Sequence, residues 1–502
     1  MIRALMSGLC CVAVVGASIV FAGERADPAP PVVATLPAME APKASPHPNV
    51  TFHAAPKALP AGAVTSDWPC FLGATHDMRS PETKLLKEWP KDGPTLLWEM
   101  KRGTGYTSPS IVGERLVYVH REGGEDLVEC LKAETGERLW RFAYPTTYED
   151  TYGYNNGPRA SPLIADGKVY TYGAQGKLHC LELTTGRLIW KRDVNAEFNV
   201  PQDFFGTATT PLLEGNLLII NIGAPGGPCV AAFDKDSGKM AWASNAPVDD
   251  VDGWGPSYAS PVAGTVQGVR RVFVFAGGKS KPPTGGLICL DPANGKVDFT
   301  FPWRSKSFES VNASCPVVIG NQVFISATYQ TGGVLLNILP GIKPEVAWKS
   351  DEFGIHFMTA VHKDGYLYGF DGRHDQNSQI TCFEVKTGKE MWREQPKWTE
   401  TVPYVDRLTQ EKKTREITVG DYRGSLLEAD GHFFCLGEAG HLQCWQLTPQ
   451  GLKEIARSWL FAANETWTPL VLSKGLLYVV QNHKDNLTGT PPRLMCYDLR
   501  GK

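Results

Sequence analysis

One unit of about 50 residues recurs through most of the 502-residue chain, and a recurring unit of that length constrains the fold more than any other feature. The clearest copy runs from Ala160-Ser161-Pro162-Leu163-Ile164-Ala165-Asp166-Gly167-Lys168-Val169-Tyr170 through Gly176-Lys177-Leu178-His179-Cys180-Leu181 to Thr185-Gly186-Arg187-Leu188-Ile189-Trp190. It parses as four short strands: an apolar run after Ser-Pro, Lys-Val-Tyr, Lys-Leu-His-Cys-Leu, and Arg-Leu-Ile-Trp. Asp-Gly and Thr-Gly, both good tight-turn dipeptides, form the joints. The opening position recurs at Pro109, Pro162, Pro211, Pro261, Pro316, Ala360, Leu426 and Pro469. The third strand recurs around Cys130, Cys180, Ala232, Cys289, Leu336, Cys382, Cys444 and Cys496. The closing aromatic recurs at Trp98, Trp140, Trp190, Trp242, Phe299, Trp348, Trp392 and Trp459.

Four antiparallel strands repeated eight times predict an all-β, eight-bladed β-propeller. Its phase predicts how the ring shuts. The Trp98 strand precedes the first Ser-Pro strand, and the unit ending at Tyr497 has no closing strand after it. The Trp98 strand should therefore complete the last blade and leave no free edge. Composition agrees: 51 Gly and 37 Pro favour short strands and turns, and a hydrophobic fraction of 42% supports a core. A net charge of −3 gives no electrostatic footprint for nucleic acid.

Connections from the first strand to the second, and from the third to the fourth, are uniformly short. Length variation collects in the second-to-third loops and between blades, on the opposite face. The largest insertion, residues 393–424, is charged and would cap one side. Insertions gathered on one face mark the binding face of a repeat protein. The residues entering each innermost strand there should ring the channel mouth. They include Tyr106, Arg159, Asp203, Phe205, Trp254, Tyr258, Glu309, Asn312, His356, Asp421, Arg423, Glu465 and Trp467, with His120, Arg121, Arg373, His374 and His483 from the second-to-third loops. A set rich in Arg, Asn, His, Trp and carboxylates suits a binding site, and it also suits a wet structural network where inner strands converge. His120, His356, His374 and His483 are dispersed around the ring and are not read as a metal site.

The repeat resembles the PQQ-like β-propeller repeat. The matching text includes Gly167-Lys168-Val169-Tyr170, Cys289-Leu290-Asp291, and Thr185-Gly186 leading to Trp190. Two branches of that superfamily matter. One is the BamB-like scaffold of outer-membrane protein assembly, and the stretches Asp67-Trp68-Pro69, Asn156-Gly157-Pro158-Arg159 and Tyr368-Gly369-Phe370-Asp371-Gly372-Arg373 look like exported BamB-like proteins of planctomycete-type bacteria. The other is the quinoprotein dehydrogenases, which hold PQQ and calcium at the channel mouth. For a quinoprotein, Glu309 and Asn312 would supply oxygens to the metal and Arg159 would pair the quinone. Asp203 or Asp421 would act as base, and Trp254 or Trp467 would stack, with His356 and Arg373 nearby. Adjacent cysteines occur only at Cys10-Cys11, and no Cys-x-x-Cys-His haem site is present. The favoured expectation is a binding or scaffold protein without a cofactor, probed by protein partners such as the outer-membrane assembly machinery. The alternative is a PQQ- and calcium-dependent dehydrogenase.

Ala4 to Ala22 is an uncharged apolar run ending Val20-Phe21-Ala22, suited to signal peptidase; residues 1–22 read as a signal peptide or a retained anchor. Residues 23–65 are Pro/Ala-rich and read as an extended, disordered linker before a propeller over 66–502. The expected setting is the periplasm or cell envelope, with a monomeric protein touching membrane only through an uncleaved amino terminus. Of the 12 cysteines, six occupy the third-strand slot. Equivalent slots on neighbouring blades lie beyond disulfide reach, so these read as small buried apolar residues.

Overall fold

The computed structural model describes residues 27–34, 37, 39–245, 254–373, 377–406 and 408–501. The apolar run expected to act as a signal or anchor lies outside them, as does His374. Eight antiparallel sheets of four core strands form the ring, with almost no helix. The innermost strands of blades 1 to 8 are Ser110–Val112, Leu163–Ala165, Leu212–Glu214, Val262–Val266, Val317–Ile319, Val361–Lys363, Ser425–Ala429 and Val471–Ser473. The strand Thr95–Lys101 pairs with Arg493–Asp498, with Trp98 opposite Cys496, so the ring closes as the repeat phase predicts.

One repeated contact joins the blades. In five internal blades and at the closure, the tryptophan of the outermost strand reaches across to the next blade. There its indole N–H donates to a carbonyl near the end of the third strand. The bonds are Trp140 to Leu183 (2.8 Å), Trp190 to Lys235 (3.1 Å), Trp242 to Pro292 (3.0 Å), Trp348 to Val385 (2.7 Å), Trp392 to Thr448 (2.7 Å) and Trp98 to Ala133 (3.0 Å). Five of these tryptophans also face a small residue on their own sheet, such as Cys130 opposite Trp140 and Ala232 opposite Trp242, next to a β-bulge, while Trp348 faces Leu335, one residue before the expected Leu336. This explains the cysteine slot. The ten described cysteines are buried and free, and burial pushes thiols such as Cys130 and Cys180 up to about 12. Blade 7 departs from expectation: Ala456, not Trp459, faces Cys444, and Trp459 bonds to Ala439 of its own blade. The longer fourth strand, Gly451–Trp459, moves the aromatic three residues beyond the slot.

The inner strands are laced by hydroxyls beside the opening prolines, except that Cys315 precedes Pro316 and there its backbone N–H donates to Thr359 Oγ1 at 3.2 Å. Ser108 Oγ and Ser161 Oγ are 2.8 Å apart, Thr210 N–H donates to Ser260 Oγ at 2.9 Å, and Thr468 Oγ1 donates to the Tyr106 carbonyl at 3.0 Å across the closure.

Two segments before the first blade differ from expectation. The Pro/Ala-rich stretch is extended, but its described part is docked rather than disordered. Val32–Val33 adds a strand to blade 2, Ser45 bridges Arg138 of blade 1, and Val50–Phe52 adds a strand to blade 8. Buried polar contacts hold it: Asp27 pairs with Arg192, and His47 meets Glu129 at 3.1 Å, beside the His120–Glu129 contact at 3.0 Å. A low content of bulky apolar residues does not predict disorder when the outer edges of a sheet offer unpaired backbone groups. Residues 66–86 then cross the ring on the face of the short turns. Trp68 pairs with Ile111 of blade 1, the Pro69 carbonyl accepts from Ile164 of blade 2, Arg79–Ser80 runs parallel to Glu428–Ala429 of blade 7, and Leu85 bridges Arg500. Trp68, Leu72 and Met78 are buried, and the segment plugs that end of the channel. The 393–424 insertion contains an antiparallel hairpin, Lys397–Val405 with Lys412–Gly420, joined to no blade sheet.

The Thr-Gly turn has a second role, visible at Gly186. Its φ is +72°, and a Cβ there would lie 2.5 Å from the Trp140 ring. Gly167 has the same φ of +72° with nothing within 4 Å. Gly186→Ala should therefore cost about 1–3 kcal/mol more than Gly167→Ala, the usual range for overpacking. Denaturant unfolding of the two variants measures this; equal losses would contradict the contact between the Trp140 ring and the Gly186 turn.

Candidate functional site at the channel mouth

With one end plugged, the opposite face is the channel's open side, and the loops expected there converge on it. The organising residue is Trp467, between the last inner strand and blade 7. Its indole N–H donates to Glu438 Oε1 at 2.7 Å, and Arg423 grips the same carboxylate at 2.6 and 3.0 Å while lying 5.4 Å above the Trp467 ring. Tyr106 stacks on Trp467 at 5.5 Å, Phe357 packs at 5.2 Å, and Tyr154 arrives from blade 2 at 5.6 Å. Tyr106 Oη donates to Glu465 at 3.0 Å, and His483 meets the same carboxylate at 2.8 Å. Burial pushes the Glu465 carboxyl up, but bonds from His483 and Tyr106 outweigh it and hold the group below its ordinary value.

Arg159 is internally committed. It donates to Asp150 at 2.5 Å and to the carbonyls of Gly157 and Asn155, and it stacks over Tyr148 and Tyr106. Arg373 lies 4.5 Å over the Tyr329 ring, whose hydroxyl is 3.1 Å from His356. Aromatic residues that the sequence reading did not single out, Tyr154, Phe204 and Phe308, complete the rim; they lie farther from the Ser-Pro strands, inside long loops where no periodicity marks them.

Four expected site residues sit elsewhere or point elsewhere. Trp254 is buried in the apolar core of blades 3 and 4, with Leu212, Ile219 and Ile288, and is not at the mouth. Asp421 is fully buried, accepting from Gln443 at 2.6 Å. Glu309 is exposed and accepts from Ser307 Oγ at 2.6 Å. Asn312 is buried and spends its amide N–H groups on the carbonyls of Ala276 (2.8 Å) and Trp303 (3.3 Å). Among the described residues no group of three or more His, Cys, Asp or Glu is arranged to hold a metal ion.

The proposed quinone and calcium set does not fit these positions. Among the described residues no hydrogen bond joins Glu309 to Asn312, the base candidate Asp421 is fully buried against Gln443, Trp254 is core, and Arg159 and Trp467 already hold internal partners; of the two base candidates only Asp203 lines the cleft beside the mouth. A hard cation needs several oxygens converging on one point, which this set does not provide.

A separate cleft of about 320 Å³ opens beside the mouth where blades 3, 4 and 5 meet. It is lined by Asp203, Phe204, Tyr258, Arg304, Phe308, Ser310 and Asn312. Arg304 Nε, Ser310 Oγ and Asn312 Oδ1 are buried without a hydrogen-bond partner. Each such group costs about 1–3 kcal/mol when left unpaired. Partial burial pushes the Asp203 carboxyl up, against the pull of Arg304.

The fold and this mouth define a PQQ-like β-propeller of eight blades. The family profile described as "Outer membrane protein assembly factor BamB" matches residues 124–394, more than half of the chain, and the chain belongs to that family. It is 25% identical over 401 residues to the outer membrane protein assembly factor BamB of Burkholderia pseudomallei, covering 76% of this chain and 89% of that protein. It is also 27% identical over 196 residues to the dehydrogenase subunit of the quinone alcohol dehydrogenase of Acetobacter aceti, covering 36% of this chain but only 24% of that protein. Among solved structures, BamB from Moraxella catarrhalis superposes with a TM-score of 0.50 at 13% identity, covering 82% of this chain and 99% of that one. A europium-containing methanol dehydrogenase superposes at 0.58 and 11% identity, covering 86% and 98%. At these identities the superpositions show the fold, which both branches share.

Asp421 gives a pH prediction. Burial raises its carboxyl to about 7, with Gln443 pulling the other way. A raised carboxyl favours the protonated folded state, so its contribution is full below the unfolded value of about 4 and is lost as pH rises toward 7. Asp421→Asn should flatten the fall in stability between pH 4 and 7. Melting temperatures across that range test it; an unchanged wild-type-minus-variant difference would contradict it.

Proposed function

We propose that this protein is a BamB-like envelope scaffold that holds protein partners, in the setting of outer-membrane protein assembly, on its channel-mouth face. One observation carries the reading. Exposed apolar side chains of the propeller body gather on the loops of that face: Tyr152 and Tyr154 (51% and 42% exposed), Val405 and Leu408 at the tip of the insertion hairpin (52% and 95%), and Leu487 (40%). The turns of the opposite face expose only Val269 and Leu339 among their described large apolar residues. Clustered exposed apolar groups rimmed by charge are the usual mark of a protein interface. The BamB family supplies the setting, the periplasm or cell envelope. Attachment to a membrane would come only through an uncleaved amino terminus, and the protein would act as a monomer without a resident cofactor.

The quinoprotein reading is not favoured, because the residues it needs are spent on internal bonds. Adding PQQ and calcium to the purified protein should give no dye-linked alcohol oxidation. Turnover that Glu309→Ala or Asn312→Ala abolishes would restore that reading.

A photo-crosslinking residue at Leu408 or Tyr154, in intact cells of the source bacterium, should capture an outer-membrane assembly component. Replacing Val405 and Leu408 by Ser should reduce that capture at least fivefold without changing the melting temperature. Crosslinks that recover no envelope protein, or that ignore the hairpin variant, would contradict the scaffold reading.

A further inference from the structure

We infer that His441 and Trp459 of blade 7 are positioning residues for the insertion hairpin: they clamp its base, so that its apolar tip meets a partner as a preformed arm. The presenting role rests on the scaffold reading proposed above; the rigid arm itself does not.

A displaced tryptophan makes the clamp. In blade 7 the slot that other blades give to the closing aromatic holds Ala456, and Trp459 stands opposite His441, the first residue of the third strand. The Trp459 indole N–H is spent on the Ala439 carbonyl of its own blade at 2.9 Å, so it does not join blade 7 to blade 8. Other groups close that seam. Trp89, just before the outer strand of blade 8, stacks on Phe434 of blade 7 at 6.4 Å, and Ser458 Oγ donates to the Pro90 carbonyl at 3.0 Å.

The fixed Trp459 ring leads directly to the hairpin. His441 lies parallel to it, with 4.8 Å between ring centroids and 13° between planes. Trp398, at the start of the hairpin, meets His441 edge to face at 4.8 Å and 78°. Arg457 covers the Trp398 ring at 4.2 Å. The Trp398 indole N–H donates to Glu400 Oε1 at 2.9 Å, and the same oxygen lies 3.4 Å from His441 Nε2. Burial, with a smaller push from Arg457, brings the His441 imidazole down to about 3, so at neutral pH the middle of the stack is an uncharged flat ring. Ring-on-ring and cation-on-ring contacts are directional, so they set the angle of Trp398 as well as holding it.

The register of the hairpin carries this constraint outward. Trp398 faces Val419, Glu400 faces Ile417 and Val402 faces Arg415, all on one side of the ribbon. Val402 and Val419 on that side are buried, whereas Thr399, Thr401 and Thr418 on the other are exposed. A two-stranded ribbon joined to no blade sheet is marginal alone, and the clamp supplies the support it lacks. Beyond the clamp, Tyr404, Val405 and Leu408 are 36%, 52% and 95% exposed. Apolar groups on an already ordered arm bind without the cost of ordering it.

Hydrogen exchange of the full chain tests the clamp. Amides of 397–402 and 415–420 should exchange slowly in the wild type. Trp459→Ala and, from the hairpin side, Trp398→Ala should each speed them about tenfold, while the inner strand Ser425–Ala429 keeps its protection. Trp459→Phe, which leaves a ring on His441, should keep the wild-type pattern. Trp398→Ala leaves the blade's own residues in place and decides the matter where Trp459→Ala disturbs blade 7. A photo-crosslinker at Leu408 should capture about threefold less partner in both alanine variants, and wild-type amounts in Trp459→Phe. Fast hairpin exchange in the wild type, exchange indifferent to both alanine changes, or faster exchange with undiminished capture would overturn the inference. If the wild type captures no envelope protein, the scaffold reading fails instead, and the exchange rates still decide whether the hairpin is clamped.

Discussion

The indole that leaves one blade and bonds to the next is the contact on which the rest of the molecule depends. A blade of four short strands buries little by itself, and its neighbours must cover both faces. The tryptophan covers the next blade's Thr-Gly turn and ties its N–H to that blade's carbonyl. At Gly388, as at Gly186, a Cβ would come within 2.5 Å of the ring, so glycine and tryptophan require each other across the blade boundary. The bond from Trp98 to Ala133 is the same contact made across the closure, between segments on opposite sides of the ring's seam. The strand that carries Trp98 also pairs with Arg493–Asp498, and without that pairing the last blade would lack its fourth strand.

Closure and plugging together decide where function can reside. Residues 66–86 fill the short-turn end of the channel with Trp68, Leu72 and Met78, and Glu82 accepts from the backbone N–H groups of Ser66, Lys474 and Gly475. That end is core. The long loops are free of such duty and gather aromatics and ion pairs at the mouth. There Trp467, Glu438 and Arg423 tie blades 7 and 8 together, and Arg159 with Asp150 stiffens the blade 2 loop. Many of the polar residues that look like ligands are the braces of this rim.

Sequence periodicity carried the architecture because every blade must solve one packing problem, and the same residue types solve it each time. The opening hydroxyl-proline pair, the small third-strand residue and the closing tryptophan each answer a contact now visible. Periodicity misled at blade 7, where a longer fourth strand put Trp459 outside the slot and left Ala456 in it. The plug and the docked amino-terminal strap were not legible, since both are single copies whose partners lie hundreds of residues away; His47 meeting Glu129 leaves no local pattern. At the mouth, counting back from each Ser-Pro strand found Tyr106, Arg159, Arg423, Glu465 and Trp467. It misplaced Trp254, because loop length does not say whether a side chain turns toward the axis or into the core.

The central claim is that a closed ring with a built-in plug forms one cooperative body that offers a single binding face. Native-state hydrogen exchange of the peptides covering 66–86 and 95–101 tests this most directly. The account predicts that both exchange as slowly as the inner strands of blades 2 to 6 and lose protection together with them. Fast exchange of either segment while the other blades stay protected would contradict it.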